Sequence, residues 1–187
     1  MIERIRSFLR YVVVILLCFA LVLAFLCPIL DLAKINIFKE VGSPYTLNLH
    51  IEYSYLVISL ITPYWIFLAV MCRCWYKVDF TMKGIEFKLL YWILTWLAIS
   101  TLYTLFTRDD IDDVPFNCPS DYSYPNHRYQ LACQIREANF LAMWIFGGIG
   151  ILLTIFIPAG VFPLSEEERE KNPKIDFYYV WSGYHRI

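Results

Sequence analysis

The chain has 187 residues, of which 59% are hydrophobic, against roughly 45–50% for an average soluble domain. Its 16 basic and 17 acidic residues nearly cancel, and without a clustered basic surface there is no footprint for nucleic acid. The charges avoid four long windows, which points to an integral membrane protein rather than a soluble domain.

The first window, Val12–Leu30, reads "VVVILLCFALVLAFLCPIL". It follows a basic start (Arg4, Arg6, Arg10), as a signal peptide would. Its apolar run is longer than a signal core, however, and no small-residue cleavage site follows, so a retained helix is expected over about 11–30. Cys18 and Cys27 within it read as ordinary small apolar residues. The segment Asp31–Ser54 reads as a short outer loop in which "YTLNLHIEY" alternates weakly, predicting a strand over the mouth of a bundle. His50 there reads as a surface residue.

The second window, Tyr55–Met71, predicts a helix over about 54–73 that Pro63 kinks. Cys72 and Cys74, in "VMCRCWYK", lie at its end beside basic and aromatic residues and are candidates for palmitoylation or plain thiols. The third window, Leu89–Thr107, predicts a helix over about 87–107. The acidic run Asp109–Asp113 follows and reads as a solvated patch rather than a calcium loop, since no glycine turn or spaced ligand set accompanies it.

Next comes "FNCPSDYSYPNHRYQLACQIREANFLAMW", with Cys118 and Cys133 in a polar segment before the fourth window, Phe140–Phe162. A disulfide between them is expected on an outward face, and it would close a loop with little core of its own. Two free thiols or metal ligands are the alternatives. Structural zinc wants four ligands and His127 is the only soft one nearby, so no metal is expected. The fourth helix, about 139–162, carries "GGIG": Gly147, Gly148 and Gly150. Small residues let helix backbones approach closely in lipid, either for a partner helix or for this bundle's own neighbours. Pro158 is expected to kink this helix.

None of the four windows holds Asp, Glu, Lys, Arg or His. Each is about 17–23 residues, near the roughly 20 that a helix needs to cross a hydrocarbon core of about 30 Å. Lipid leaves backbone groups no outside partner, so the windows are helices. The expected fold is thus all-α, a four-transmembrane-helix bundle over residues 1–163 with a disulfide-closed second outer loop. Intramembrane ionisable groups usually mark ion or proton paths, and their absence from the windows argues against a pump.

Residues 164–187 form a tail. Its "IDFYYVWSGY" carries Phe177, Tyr178, Tyr179, Trp181 and Tyr184, far too aromatic for a solvated disordered segment. Docking on a partner or the inner leaflet is expected, with packing on the chain's own inner loop as the alternative. Placing both termini in the cytoplasm puts eleven Lys and Arg inside and five outside, the asymmetry that membrane insertion favours. The predicted location is the plasma membrane or elsewhere in the secretory pathway. No Asn-x-Ser/Thr acceptor is present.

This layout resembles MARVEL-type tetraspan proteins, the occludin and physin branches and a group of small fungal membrane proteins. The matching features are four helices, a cysteine pair in the second outer loop, then Ala138 and an aromatic fourth helix with Trp144, here "CQIREANFLAMWIFGGIG". The first outer loop has neither a Trp nor a cysteine pair and departs from the claudin pattern. The resemblance implies membrane organisation or association with other membrane proteins, without catalysis and without a cofactor. An accessory subunit of a larger membrane complex, such as a transporter, synthase or respiratory assembly, is the alternative function. The expected partners are the lipid bilayer and other membrane proteins or further copies of the chain. His50, His127 and His185 lie far apart, and no nucleophile–base pairing or phosphate-cradling loop accompanies them, so an enzyme is not expected.

Overall fold

The computed structural model describes residues 2–42, 47–76, 82–107, 115–119 and 121–156, with side chains over 8–42, 47–65, 89–107, 115–119 and 121–156. The described residues form four α-helices: α1 (Ile2–Val41), α2 (Leu49–Tyr76), α3 (Met82–Phe106) and α4 (His127–Phe156). Among the described residues, three segments, Phe8–Val41, Leu89–Phe106 and His127–Phe156, are long and apolar enough to cross a membrane. The expected tail contacts at Phe177, Tyr178, Tyr179, Trp181 and Tyr184 lie outside the described residues. So do the acidic run Asp109–Asp113, Pro158 and the side chains of Cys72 and Cys74.

The segment between the first two windows differs from expectation. α1 does not end at Leu30 but continues to Val41. Of the described part of "YTLNLHIEY", Leu49 onward is the start of α2, and no strand occurs among the described residues. Helical periodicity explains both corrections. Asp31, Lys34, Ile35 and Phe38 stand at i, i+3, i+4 and i+7, and all four are buried. Glu52, Tyr55, Leu56 and Ser59 repeat that spacing on α2, again all buried. The apolar windows stopped at charges that point into the bundle rather than into water. Gly42 is what ends α1: it adopts φ +67°, open to a residue without Cβ, and its N–H donates to the Phe38 carbonyl at 3.1 Å.

α4 likewise begins earlier than expected, at His127 rather than near residue 139. Asn126 caps it: its side-chain oxygen accepts from the backbone N–H of Arg128 at 2.8 Å and of Tyr129 at 3.3 Å.

Each helix packs on two others, α1 with α2 and α4, and α3 with α2 and α4; the α1–α4 seam is the most extensive. Side-chain pairings establish antiparallel neighbours. Lys34 late in α1 meets Glu52 early in α2, while Trp92 early in α3 donates to Thr62 of α2 at 3.1 Å. The centre of the bundle is aromatic. Trp96 stacks on Trp92 at 5.5 Å between ring centroids and meets Phe146 and Tyr55 edge-on at 4.8 and 5.8 Å. Such pairs add about 0.5–1.5 kcal/mol each beyond their burial. The buried Trp96 indole N–H donates to the Met143 carbonyl at 3.1 Å. Gly147 permits that approach, because a Cβ there would stand 3.3 Å from the indole ring.

Outside, large apolar side chains face away from the core on all four helices, among them Phe19, Val22, Trp65, Tyr91, Leu105 and Ile155. Exposed apolar surface on this scale is what lipid covers.

Candidate functional site

The described helices converge on a buried polar cluster at one end of the bundle. α1 supplies Asp31 and Lys34, α2 Glu52, α3 Tyr103 and α4 Asn139. Asp31, Lys34, Glu52 and Asn139 are 0% exposed and Tyr103 2%. The position along α1 sets the depth. Tyr11–Leu30 is an uncharged stretch between Arg10 and Asp31, about 30 Å long at about 1.5 Å per residue and so a match for the hydrocarbon core. Asp31 therefore sits where that apolar span ends.

Tyr103 is the hub. Its hydroxyl accepts from the Lys34 ammonium at 2.9 Å and from the Asn139 amide at 3.0 Å, and donates to Glu52 Oε2 at 3.2 Å. Lys34 forms an ion pair with Glu52 Oε1. Its ammonium also lies over the rings of Tyr103 and Phe38, at 4.9 and 5.3 Å to the centroids. A buried ion pair recovers its desolvation cost only with such additional partners. Asp31 accepts from the Asn139 amide at 3.4 Å. Beneath it, the Tyr55 ring packs 4.7 Å from that of Tyr103. Two oxygens of this layer, Asp31 Oδ2 and Asn139 Oδ1, take no donor among the described residues, while the Tyr55 hydroxyl and the Cys27 thiol lie within hydrogen-bond reach of each other.

Two further features adjoin the cluster. A cavity of about 220 Å³, lined by Tyr103, Thr104, Thr107, Phe116, Arg136 and Phe140, lies between α3 and the start of α4. Beyond it, Cys118 and Cys133 form a disulfide with their Cα atoms 5.7 Å apart. Cys118, Cys133, Ala132 and Phe38 are buried together as a small second core. The bridge holds residues 115–119 against α4, where the Phe116 ring meets Phe140 edge-on at 5.2 Å and takes the Arg136 guanidinium over its face at 5.4 Å.

The described residues singled out from sequence fall elsewhere. Gly147 and Gly150 lie against α3, a Cβ on either meeting Trp96 or Ile93, whereas Gly148 faces open space. Cys27 is buried and Cys18 exposed. None of the described ones belongs to the polar cluster. The available signal was the spacing of Asp31, Lys34 and Phe38 in register with the buried face of the first window, together with the same spacing from Glu52 into the second. No family model, curated protein or solved structure matches this chain.

Proposed function

We propose that the chain is a four-span membrane protein that organises membrane domains or associates with other membrane proteins through its lipid-facing surfaces, rather than by catalysis. One observation carries this reading. Asp31, Lys34, Glu52, Tyr103 and Asn139 gather in a cluster wholly withdrawn from the surface, while the exterior presents large apolar side chains on every helix. A protein built this way meets its partners through lipid-embedded faces. α2 serves as the fourth span in this reading, since its 28 residues equal or exceed the length a crossing needs. Both termini then lie in the cytoplasm, and the Cys118–Cys133 bridge closes the second outer loop in oxidising surroundings. The MARVEL-like layout supports the same function, through the cysteine pair and the aromatic fourth helix.

The accessory-subunit reading draws on Gly148. A Cβ there would meet nothing within 4 Å, and Trp144, Ile151 and Leu152, one turn away on either side, are exposed. This leaves a shallow apolar notch on α4 of the kind that seats a neighbouring helix.

Purification at native expression in mild detergent, followed by mass analysis, tests both. A small homo-oligomer or lipid-clustered species is the expected result for an organiser, and a stoichiometric larger partner for an accessory subunit. A strictly monomeric chain with no co-purifying protein or ordered lipid would defeat both. Deleting residues 174–187 is expected to weaken association while leaving the bundle folded; unchanged co-purification would remove the tail from the interface.

A further inference from the structure

The cavity between α3 and the start of α4 straddles the level at which the apolar span ends. Tyr103 and Asn139 share that level with Asp31. Arg136 precedes Asn139 by three residues, toward the end of α4 where Ala132 and Cys133 pack with Phe38. It therefore stands about 4.5 Å farther out, at about 1.5 Å per residue. Thr107 follows Tyr103 by one turn of α3 and reaches a similar height. A bilayer carries roughly 5–8 Å of headgroup region outside each face of its hydrocarbon core. The inner part of the cavity, walled by Tyr103 and Phe140, lies at the hydrocarbon boundary, and its outer part, at Arg136 and Thr107, lies among headgroups.

We propose that this cavity is a phospholipid site: it seats one lipid headgroup, with Arg136 binding the phosphate and the chains running down the apolar faces of α3 and α4. The lining selects an amphipathic anion. Arg136 is its one charged residue. The guanidinium lies over the Phe116 ring at 5.4 Å, which steadies the planar fork for the two parallel N–H···O bonds that a phosphate accepts. A guanidinium has five N–H donors and a phosphate uses two, so other contacts of Arg136 are compatible with this role. The hydroxyls of the lining spend their protons inside the protein. Thr104 and Thr107 donate to the Ser100 and Tyr103 carbonyls at 2.8 and 2.7 Å, and Tyr103 donates to Glu52. The remaining walls are the rings of Phe116 and Phe140, which suit carbon. A cation is repelled by Arg136, and a bare inorganic anion leaves those rings uncovered. At about 220 Å³ the cavity is smaller than the roughly 300–1,000 Å³ that houses a whole drug-sized ligand. It takes the headgroup and leaves the chains outside, where Leu105, Phe106 and Leu141 are exposed beside the lining positions. Trp144, which donates to Thr104 Oγ1 at 3.2 Å, forms the edge toward the hydrocarbon. The site needs the helices to stand in lipid, as the four-span reading has it, and is independent of what the chain organises.

The test uses the full chain in mild detergent with three probes at equal concentration: a short-chain phosphatidylglycerol, the diacylglycerol of the same chains, and inorganic phosphate. Only the phospholipid is expected to raise the melting temperature, as a ligand that binds the folded state does. It alone is also expected to slow phenylglyoxal modification of Arg136, located by peptide mass mapping. Arg136→Gln is expected to shift the effective phospholipid concentration up by about tenfold or more, the loss of a charge-assisted hydrogen bond. Arg136→Lys, which keeps the charge and loses the fork, is expected to shift it less. The phenylglyoxal measurement needs no variant and decides the outcome where Arg136→Gln does not fold. Protection by inorganic phosphate as strong as by the phospholipid would assign the site to a free anion and overturn the proposal. Protection by the diacylglycerol as strong would make it an apolar slot, with the same consequence. No protection by any probe, or an Arg136→Gln that folds and responds to phospholipid as the wild type does, would also overturn it. None of these outcomes depends on which proteins co-purify, so the lipid site and the organising role fail separately.

Discussion

Lys34 and Glu52, eighteen residues apart on successive helices, form an ion pair whose two side chains are wholly buried. The α1–α2 connection brings them together, and neither has water as a fallback. Substituting Lys34→Met alone strands the Glu52 carboxylate, and breaking a buried pair in this way costs about 3–5 kcal/mol. The double variant Lys34→Met, Glu52→Leu removes both charges and is expected to recover most of that loss. Thermal unfolding in detergent checks both; a single variant as stable as the wild type would show that water reaches the pair.

Tyr103→Phe keeps the ring contact with Tyr55 and deletes the hydroxyl that three partners share. The Asn139 amide and the Lys34 ammonium each lose an acceptor in a dry layer. A loss of about 1–3 kcal/mol is expected for the unsatisfied groups. A double-mutant cycle with Asn139→Leu measures the coupling, which should be well away from zero for residues in one network.

The glycines of α4 should separate by face. Gly150→Ala pushes a methyl group into the Ile93 side chain, and overpacking of this kind costs about 1–3 kcal/mol unless the isoleucine moves aside. Gly148→Ala meets open space and should leave folding unchanged or slightly improved. Gly148→Leu fills the notch and is expected to lower co-purification of a partner without lowering the melting temperature. Equal effects at 148 and 150 would contradict the placement of α4 against α3.

The bridge between Cys118 and Cys133 predicts a mass two hydrogens lighter than the reduced chain under non-reducing conditions. Replacing both cysteines with serine frees residues 115–119 from α4 and is expected to cost about 3 kcal/mol on the chain-entropy account for a loop of this length. Among the described thiols, Cys18 should alkylate readily in the folded protein and the buried Cys27 should not. Alkylation of Cys118 and Cys133 without a reductant would rule out the bridge.

Much of the architecture is legible in residue type alone. Three of the uncharged windows overlap the described helices long and apolar enough to cross a membrane, because the cost of placing charge in hydrocarbon is written directly in the side chains. The cysteine pair is legible for a similar reason: oxidised partners and an outward polar loop go together. Helix ends are not. Hydropathy stops α1 at Asp31 and opens α2 after Glu52, since a window average records what a side chain is and not where it points.

Composition and spacing alone determined that this chain is helical and apolar enough for lipid, since those properties follow from each residue's own transfer energy. Only the tertiary structure decided that Asp31, Lys34, Glu52, Tyr103 and Asn139 form one layer. That layer exists because four helices place one turn each at the same height, and a contact between residues up to 108 positions apart in the chain leaves no local trace. A charged residue becomes tolerable in such a place only when its partners arrive with it, which packing alone arranges.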